Sequence, residues 1–196
     1  MSLLHPTPSL KETPSQTAGP FVHIGTMPAI AGLKTKHPGP GNILARDGTL
    51  GERIRIEGLI YDGAGVLVKD ALVEIWQANA NGQFGSNDFS GFGRAAADFE
   101  TGLFFFETIK PGKTPYRDGR MQAPHVTLSI FARGLNIHLQ TRLYFSDEAN
   151  AADPVLQLVG APDLVATLIA RRDPSRPLYR FNIHLQGDRE TVFFDL

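Results

Sequence analysis

Short segments in which apolar and polar residues alternate recur through residues 52–194, and this alternation constrains the fold more than any other feature. In Arg53–Gly58 the two isoleucines lie on one face of an extended chain and the charged residues on the other, as in a half-buried β-strand. Turn-forming residues such as those of Asp62–Gly65 separate these segments. The strands predicted in this way are 53–58, 66–68, 72–76, 103–106, 125–131, 136–145, 179–185 and 191–194. Because helical connectors between them are missing, the pattern predicts an all-β fold, an antiparallel β-sandwich, and not a parallel α/β sheet.

One helix is predicted late in the chain. Apolar residues recur there at helical spacing, at Leu164, Val165, Leu168 and Ile169. Asp163 is suited to cap the N-terminus of this helix. The expected fold is therefore a β-sandwich with at most one or two short helices.

Residues 1–50 differ from the rest of the chain, because they contain seven prolines and show little periodicity. Proline fixes φ and lacks an N–H donor, so long helices and central strands are not expected there. The sequence predicts an extended, proline-rich N-terminal arm over residues 1–50 and a single β-sandwich domain over residues 51–196. A disordered tail is the alternative interpretation of the first segment.

The composition narrows the possible functions. The 196 residues include no cysteine, which excludes disulfides, thiolate zinc sites, cysteine-ligated iron–sulfur clusters and a cysteine nucleophile. The net charge is −1, so nucleic acid is not an expected partner. No apolar stretch has the length of a membrane span, and the N-terminal residues lack the pattern of a signal peptide. A cytoplasmic protein with no membrane partner is expected.

Histidines are the first candidates for a metal site in a chain without cysteine. His125, His138 and His184 each fall on the polar face of a predicted strand. They do not stand in the H-x-H or H-x-x-x-H spacing that fixes two imidazoles on one face, so surface or hydrogen-bonded histidines are the favoured interpretation. Gly91–Arg94 resembles half of a phosphate-binding loop, but the helix and lysine of such a loop do not follow it. We therefore expect a turn at Gly91–Arg94.

Several segments resemble those of the intradiol ring-cleavage dioxygenases. They occur in the family's order from residue 12 to residue 195, which is nearly the whole chain. The segments are Glu12–Phe21, Glu74–Gly82, Gly91–Arg94, Thr108–Gly112, Gln122–His125, Ser129–Ile137, Leu143–Phe145 and Gln186–Asp195. A resemblance of this extent is more specific than any single motif.

The resemblance implies a non-haem Fe(III) centre that the family holds with two tyrosines and two histidines, the histidines in an H-x-H pair. Phenolates are hard, electron-donating ligands that suit ferric iron. The corresponding positions of this chain are Phe84, Tyr116, His125 and Thr127. Because Phe84 has no donor atom and Thr127 replaces the second histidine, we expect no metal site in this chain. The resemblance implies instead that a homologous partner, a β subunit, carries the Fe(III).

The resemblance also implies a set of residues that border the substrate in the partner's pocket. The arm positions of this set are Thr17, Gly19, Pro20 and Phe21. Proline and glycine suit this task, because they bring the backbone close to a planar ring. Arg133 matches a residue that reaches the substrate-binding region, where a guanidinium can pair with a carboxylate. The alternatives are a purely structural arm and an Arg133 that is a solvated turn residue before Gly134.

The function implied is that of one subunit in a hetero-oligomer of αβ units that cleaves 3,4-dihydroxybenzoate with O2. No catalytic residue is expected from this chain. Two other functions remain open, a self-sufficient intradiol dioxygenase and a non-enzymatic β-sandwich binding module. The missing ligands argue against the first, and the retained arm and the Arg133–Gly134 segment argue against the second.

Overall fold

The computed structural model describes residues 11–19, 21–36 and 39–195, which contain twelve strands and three short helices. The strands are β1 Arg53–Gly58, β2 Ile60–Tyr61, β3 Leu72–Gln77, β4 Phe92–Ala96, β5 Phe104–Ile109, β6 Thr114–Pro115, β7 Met121–Gln122, β8 His125–Phe131, β9 Leu139–Phe145, β10 Ile169–Arg172, β11 Leu178–Arg180 and β12 Ile183–His184. The helices are α1 Val22–Thr26, α2 Pro154–Val159 and α3 Pro162–Ala166. The fold is therefore mostly β, as the alternation predicts.

Eight strands form one continuous sheet in the order β4-β3-β8-β9-β10-β11-β1-β5. The prediction of a purely antiparallel arrangement is wrong at three pairs, because β1–β11, β9–β10 and β2–β12 are parallel. A parallel pair needs a long crossover, and α2 and α3 provide it between β9 and β10. Alternation reports which face of a strand is buried. It reports neither the direction of the neighbouring strand nor the division of strands between one sheet and two.

The sheet curls so that its two edge strands, β4 and β5, contact each other. Residues 41–44 lie between them. The Arg94 amide donates to the carbonyl of Gly41 (3.0 Å), and the Glu107 amide donates to the carbonyl of Asn42 (2.9 Å). The Leu44 amide donates in turn to the carbonyl of Glu107 (2.8 Å). This segment satisfies polar groups at both edges, so the large sheet is nearly barrel-like.

The inward face of the sheet forms the main hydrophobic core. In β8 the side chains of Val126, Leu128 and Ile130 are completely buried, in the alternation that the sequence predicts. A second, smaller cluster lies on the opposite face, where Tyr144 packs with Leu156 of α2. The site described below lies on this opposite face, beside the second cluster.

The helices differ from the prediction in number and extent. Three are present among the described residues, where at most two were expected. The predicted helix ends at Ala166, and Ile169 begins β10, where it pairs with Tyr144. Its N-cap is Ala161, and Asp163 lies within the first turn. Pairing with β9 therefore outweighs the helical spacing of Leu168 and Ile169.

The turn expected at Gly91–Arg94 is not observed. Phe92, Gly93 and Arg94 belong instead to β4. A Cβ atom at Gly93 would lie 2.5 Å from Cδ1 of Leu44. The glycine therefore lets the 41–44 segment approach the edge strand, which is one established use of glycine within a strand. The segments 66–68 and 191–194 form isolated bridges to Tyr61 and Gln140 and not strands.

The N-terminal segment is not extended throughout, because residues Val22–Thr26 form α1. His23 of this helix is buried, and its ring meets that of Phe99 edge-on with the centroids 5.4 Å apart. The carbonyl of Thr26 accepts a hydrogen bond from Nη1 of Arg94 (2.9 Å). These contacts anchor this part of the predicted arm to the rest of the protein, and the boundary at residue 50 stays a prediction.

Candidate functional site

The outward face of β3, β8 and β9 brings together positions where the resemblance places metal ligands. Trp76 lies opposite Thr127, and Thr127 lies opposite Arg142, so these three residues form one row across the strands. Phe84 follows in the loop after β3, and its ring stacks on that of Trp76 with the centroids 5.9 Å apart. Both rings are exposed at the surface, at 42% for Trp76 and 46% for Phe84. Trp76 points to the side opposite the buried Ile75.

His125 lies on the same face as Thr127 and is buried. Its Nδ1 donates to the carbonyl oxygen of Ala123 at 2.8 Å, since a carbonyl can only accept. Burial, with a smaller effect of the Arg142 charge, lowers the pKa of His125 to about 4. The imidazole is therefore neutral at physiological pH.

Tyr116 lies in the turn of the β6–β7 hairpin, where its amide donates to the carbonyl of Arg120 (2.8 Å). This hairpin is anchored beside the loop that carries Phe84. The Gly112 amide donates to the carbonyl of Asn79 (2.9 Å), and Gly82 has φ +77° where it faces the carbonyl of Lys113. The loops of Phe84 and Tyr116 therefore meet at one end of β3 and β8.

These residues do not fit a ferric ion. Phe84 offers no donor atom, Thr127 offers only a neutral hydroxyl, and His125 is a single buried imidazole. Residues 11–19, 21–36 and 39–195 contain no group of three or more His, Cys, Asp or Glu side chains that could hold a metal. The fold of a metal site is retained here, but only two of the four ligand positions, Tyr116 and His125, carry the expected type of donor.

A polar network takes up part of the outward face beside His125. Nη1 of Arg142 donates to Oε1 of Gln122 (2.7 Å), and the Tyr144 hydroxyl donates to Oδ1 of Asp153 (3.2 Å). The amide of Ala123 donates to the other oxygen of Asp153 (2.8 Å). Burial raises the pKa of Tyr144, so its hydroxyl remains protonated. Neither Gln122 nor Asp153 is evident as a site residue from the sequence, although an Asp before Pro154 is a recognisable N-cap pattern.

His138 and His184 do not join His125. His138 is exposed and stacks on Phe131, with the centroids 5.2 Å apart. His184 lies on β12 in a separate two-stranded sheet and stacks on Tyr61, with the centroids 4.8 Å apart. These ring contacts agree with the interpretation of His138 and His184 as surface or structural residues.

Arg133 and Thr17 come together at the opposite end of β8. The amide of Gly134 donates to the Thr17 hydroxyl at 2.8 Å, and the hydroxyl of Ser15 donates to the carbonyl of Asn136 at 2.6 Å. The Arg133 side chain is 70% exposed and forms an ion pair with Asp70, Nε to Oδ2 2.5 Å. Two predicted pieces that are far apart in the sequence, the arm and Arg133, thus lie side by side.

The other predicted arm residues follow Thr17. Gly19 is exposed, and its carbonyl accepts from the amide of Val22 at the start of α1 (3.1 Å). Phe21 is 75% exposed, which is unusual for a large aromatic side chain. Pro20 lies outside the described residues. The arm therefore presents an exposed aromatic ring and exposed backbone shortly after its contact at Thr17.

Arg133 and the row at Thr127 lie at opposite ends of β8. Six residues separate Thr127 from Arg133, most of them in the extended strand β8, which corresponds to roughly 20 Å at most. Arg133, with the Thr17 hydroxyl against its turn, is therefore set apart along β8 from Thr127 of its own chain. In the described residues, no helix has the length and apolar character needed to cross a membrane.

Comparison with known proteins assigns the family. A family model described as dioxygenase matches residues 34–187, which is well over half of the chain. The chain therefore belongs to this family, that of the intradiol ring-cleaving dioxygenases. Two similar proteins are the protocatechuate 3,4-dioxygenase α chains of Pseudomonas putida and Burkholderia cepacia. The first is 48% identical over 97% of this chain and 99% of the relative, and the second is 41% identical over 96% and 99%.

A protein named as the protocatechuate 3,4-dioxygenase β chain of Burkholderia cepacia is 34% identical over 70% of this chain and 66% of the relative. Solved structures support the fold. The dioxygenase domain of a carbohydrate-binding fusion protein from Streptomyces sp. SirexAA-E has a TM-score of 0.59 at 21% identity, over 93% of this chain and 100% of that chain. The 3-chlorocatechol 1,2-dioxygenase of Rhodococcus opacus 1CP has a TM-score of 0.58 at 21% identity, over 77% and 69%.

Acidification should destabilise the protein through His125. The folded-state pKa of about 4 lies below the ordinary 6.5, so the stability from neutral His125 is complete above 6.5 and is lost as the pH falls towards 4. The loss is about 3 kcal/mol at most. We expect His125→Asn, whose amide can still donate to Ala123, to flatten this part of the stability profile. The measurement is urea unfolding from pH 7.5 to 4, with His138→Asn as the exposed control. The role of His125 would be contradicted if the free energy of unfolding changed equally with pH in the parent protein, His125→Asn and His138→Asn.

Gly82→Ala should displace the loop that carries Phe84. At φ +77° a Cβ atom would lie 2.0 Å from the carbonyl oxygen of Lys113. Gly85 provides a matched control, because it also has positive φ (+62°) but has no atom within 4 Å of an added Cβ. We expect Gly85→Ala to cost about 1–2 kcal/mol and Gly82→Ala about 1–3 kcal/mol more. Unfolding measurements give the loss of stability. The fluorescence of Trp76, the single tryptophan, reports the displacement of the Phe84 loop. An unshifted Trp76 emission together with equal stabilities would show that the clash is relieved elsewhere.

Proposed function

We propose that this chain is the α subunit of a protocatechuate 3,4-dioxygenase. The enzyme would cleave 3,4-dihydroxybenzoate between its two hydroxylated carbons and add both atoms of O2, giving 3-carboxy-cis,cis-muconate. A homologous β subunit would carry the Fe(III), in hetero-oligomers of αβ units. The ring cleavage would take place in the cytoplasm, as one step of aromatic catabolism.

The observation that carries this proposal is the separation along β8. Arg133, with Thr17 against its turn, lies six residues along the chain from Thr127, one of the positions where the family holds its metal. That position offers Phe84 and Thr127 where ligands are needed. Residues suited to bind an aromatic acid are thus present away from an incomplete set of ligand positions, which supports a pocket that they complete on another chain. The naming of an α and a β chain among the relatives supports the same arrangement.

Each residue has a separate task in this proposal. The guanidinium of Arg133 would bind the substrate carboxylate through charge-assisted hydrogen bonds. Thr17, Gly19, Pro20 and Phe21 would border the ring, as part of an arm that reaches over the partner's site. The hydroxyl of Thr17 keeps this arm against the Arg133–Gly134 turn. Iron, when bound by the β subunit, would activate the catecholate for reaction with O2.

A self-sufficient dioxygenase has no support in the donor set of this chain. A non-enzymatic binding module would keep the fold but would not need an arm hydrogen-bonded beside an exposed arginine. The subunit role accounts for both features.

Substrate selectivity tests the proposal. In the αβ enzyme, Arg133→Ala should lower kcat/KM for 3,4-dihydroxybenzoate roughly ten- to a hundredfold, because a bound carboxylate loses its charged donor. Catechol, which lacks the carboxylate, should be much less affected. Steady-state kinetics on both substrates give the comparison.

Arg176→Ala is the matched control, because Arg176 is 62% exposed and also forms an ion pair, with Asp173. It should leave both substrates unchanged. An equal fall for both substrates in Arg133→Ala would assign the residue to the subunit interface. No fall for either would make Arg133 a solvated turn residue.

A further inference from the structure

Asp70 is the only acidic partner of Arg133 within the described residues. Its position follows from the backbone, because β3 and β8 are antiparallel with Leu72 opposite Phe131. Two residues beyond that pair, the same register sets Asp70 opposite Arg133. The ion pair therefore continues the ladder past the end of both strands, as an opposed pair of unlike charges.

The two partners differ in how firmly they are held. The Asp70 side chain is 22% exposed, whereas that of Arg133 is 70% exposed. Hydrogen bonds fix the residues on either side of Asp70. Nζ of Lys69 donates to the carbonyl of Glu100 (2.8 Å), and the amide of Ala97 donates to the carbonyl of the buried Ala71 (2.8 Å). Asp70 is thus a fixed anion beside a long, exposed cation.

The turn is held from the other side by the arm. The Thr17 hydroxyl accepts from the amide of Gly134, the residue next to Arg133. The backbone of the turn is therefore fixed by Thr17, and the position of the guanidinium is fixed by Asp70. A guanidinium has five N–H donors, so a single carboxylate on Nε leaves donors available for a second anion.

We propose that Asp70 is a positioning residue for Arg133 and thereby a determinant of selectivity for aromatic substrates that carry a carboxylate. This inference rests on the proposed role of Arg133 in substrate binding. An exposed arginine without a partner samples many rotamers, and binding must then order it. The ion pair with Asp70 orders the guanidinium before the substrate arrives.

The test is Asp70→Asn in the αβ enzyme. We expect KM for 3,4-dihydroxybenzoate to rise about two- to tenfold, as for other residues coupled through direct contact, with kcat unchanged. KM for catechol should not change. Because the pair lies at the surface, the melting temperature should stay within about 2 °C of the parent enzyme. Asp70→Glu, which keeps the charge, should recover part of the affinity.

Two further variants complete the experiment. Asp173→Asn is the control, because Asp173 also pairs with arginines, Arg176 and Arg180, and should leave both KM values unchanged. The double variant Asp70→Asn/Arg133→Ala should bind 3,4-dihydroxybenzoate no worse than Arg133→Ala alone, because Asp70 acts only through Arg133.

The outcomes separate this inference from the proposed function. If Arg133→Ala discriminates between the substrates and Asp70→Asn does not, the inference about Asp70 is wrong and the proposed function stands. A fall in KM for 3,4-dihydroxybenzoate in Asp70→Asn would also overturn it, since Asp70 would then compete with the substrate for Arg133. If Arg133→Ala does not discriminate, the proposed role of Arg133 fails, and the role of Asp70 fails with it.

Discussion

The antiparallel ladder of β8 with β3 and β9 is the interaction on which the rest of the structure depends. Its register places Val126, Leu128 and Ile130 in the core and turns Thr127 and His125 to the opposite face. A shift of one residue would exchange these two sets, so the burial of the core fixes the geometry of the outward face. The same ladder, continued past its end, sets Asp70 against Arg133. The β3–β8 pairing therefore determines the face that resembles a metal site. It also determines the position of the Arg133–Gly134 turn, for which we propose a role in substrate binding.

The outward face shows that the fold does not depend on a complete set of metal ligands. The large sheet is held by its core and by the 41–44 segment between its edges, and neither involves the ligand positions. Where donors are missing, Phe84 stacks on Trp76, and Arg142, Gln122, Tyr144 and Asp153 satisfy one another. A buried polar group that keeps its hydrogen bonds costs little, so this face can persist without a cation. The fold and the chemistry of the family are thus separable, which is why the assignment rests on individual side chains and not on the sheet.

Much of this could be predicted from the sequence, and the failures have physical causes. The bounds of β8 agree with the alternation because one of its faces is buried completely. The missing donors at Phe84 and Thr127 required only side-chain chemistry and the family pattern. The parallel pairs could not be seen, since alternation carries no information on strand direction. Ile169 was placed in a helix because its spacing fits one, and only pairing with Tyr144 decides otherwise. Asp70 was missed because its importance comes from the register with Arg133 and not from any motif.

The location of iron in the complete enzyme is the decisive test of the proposal that the homologous subunit, and not this chain, holds the metal. Crystals of the αβ enzyme with 3,4-dihydroxybenzoate, recorded at the iron absorption edge, would show each iron as an anomalous peak. We expect such peaks only in the homologous subunit, with the guanidinium of Arg133 from this chain at the substrate carboxylate. A peak between Phe84, His125 and Thr127 would contradict it.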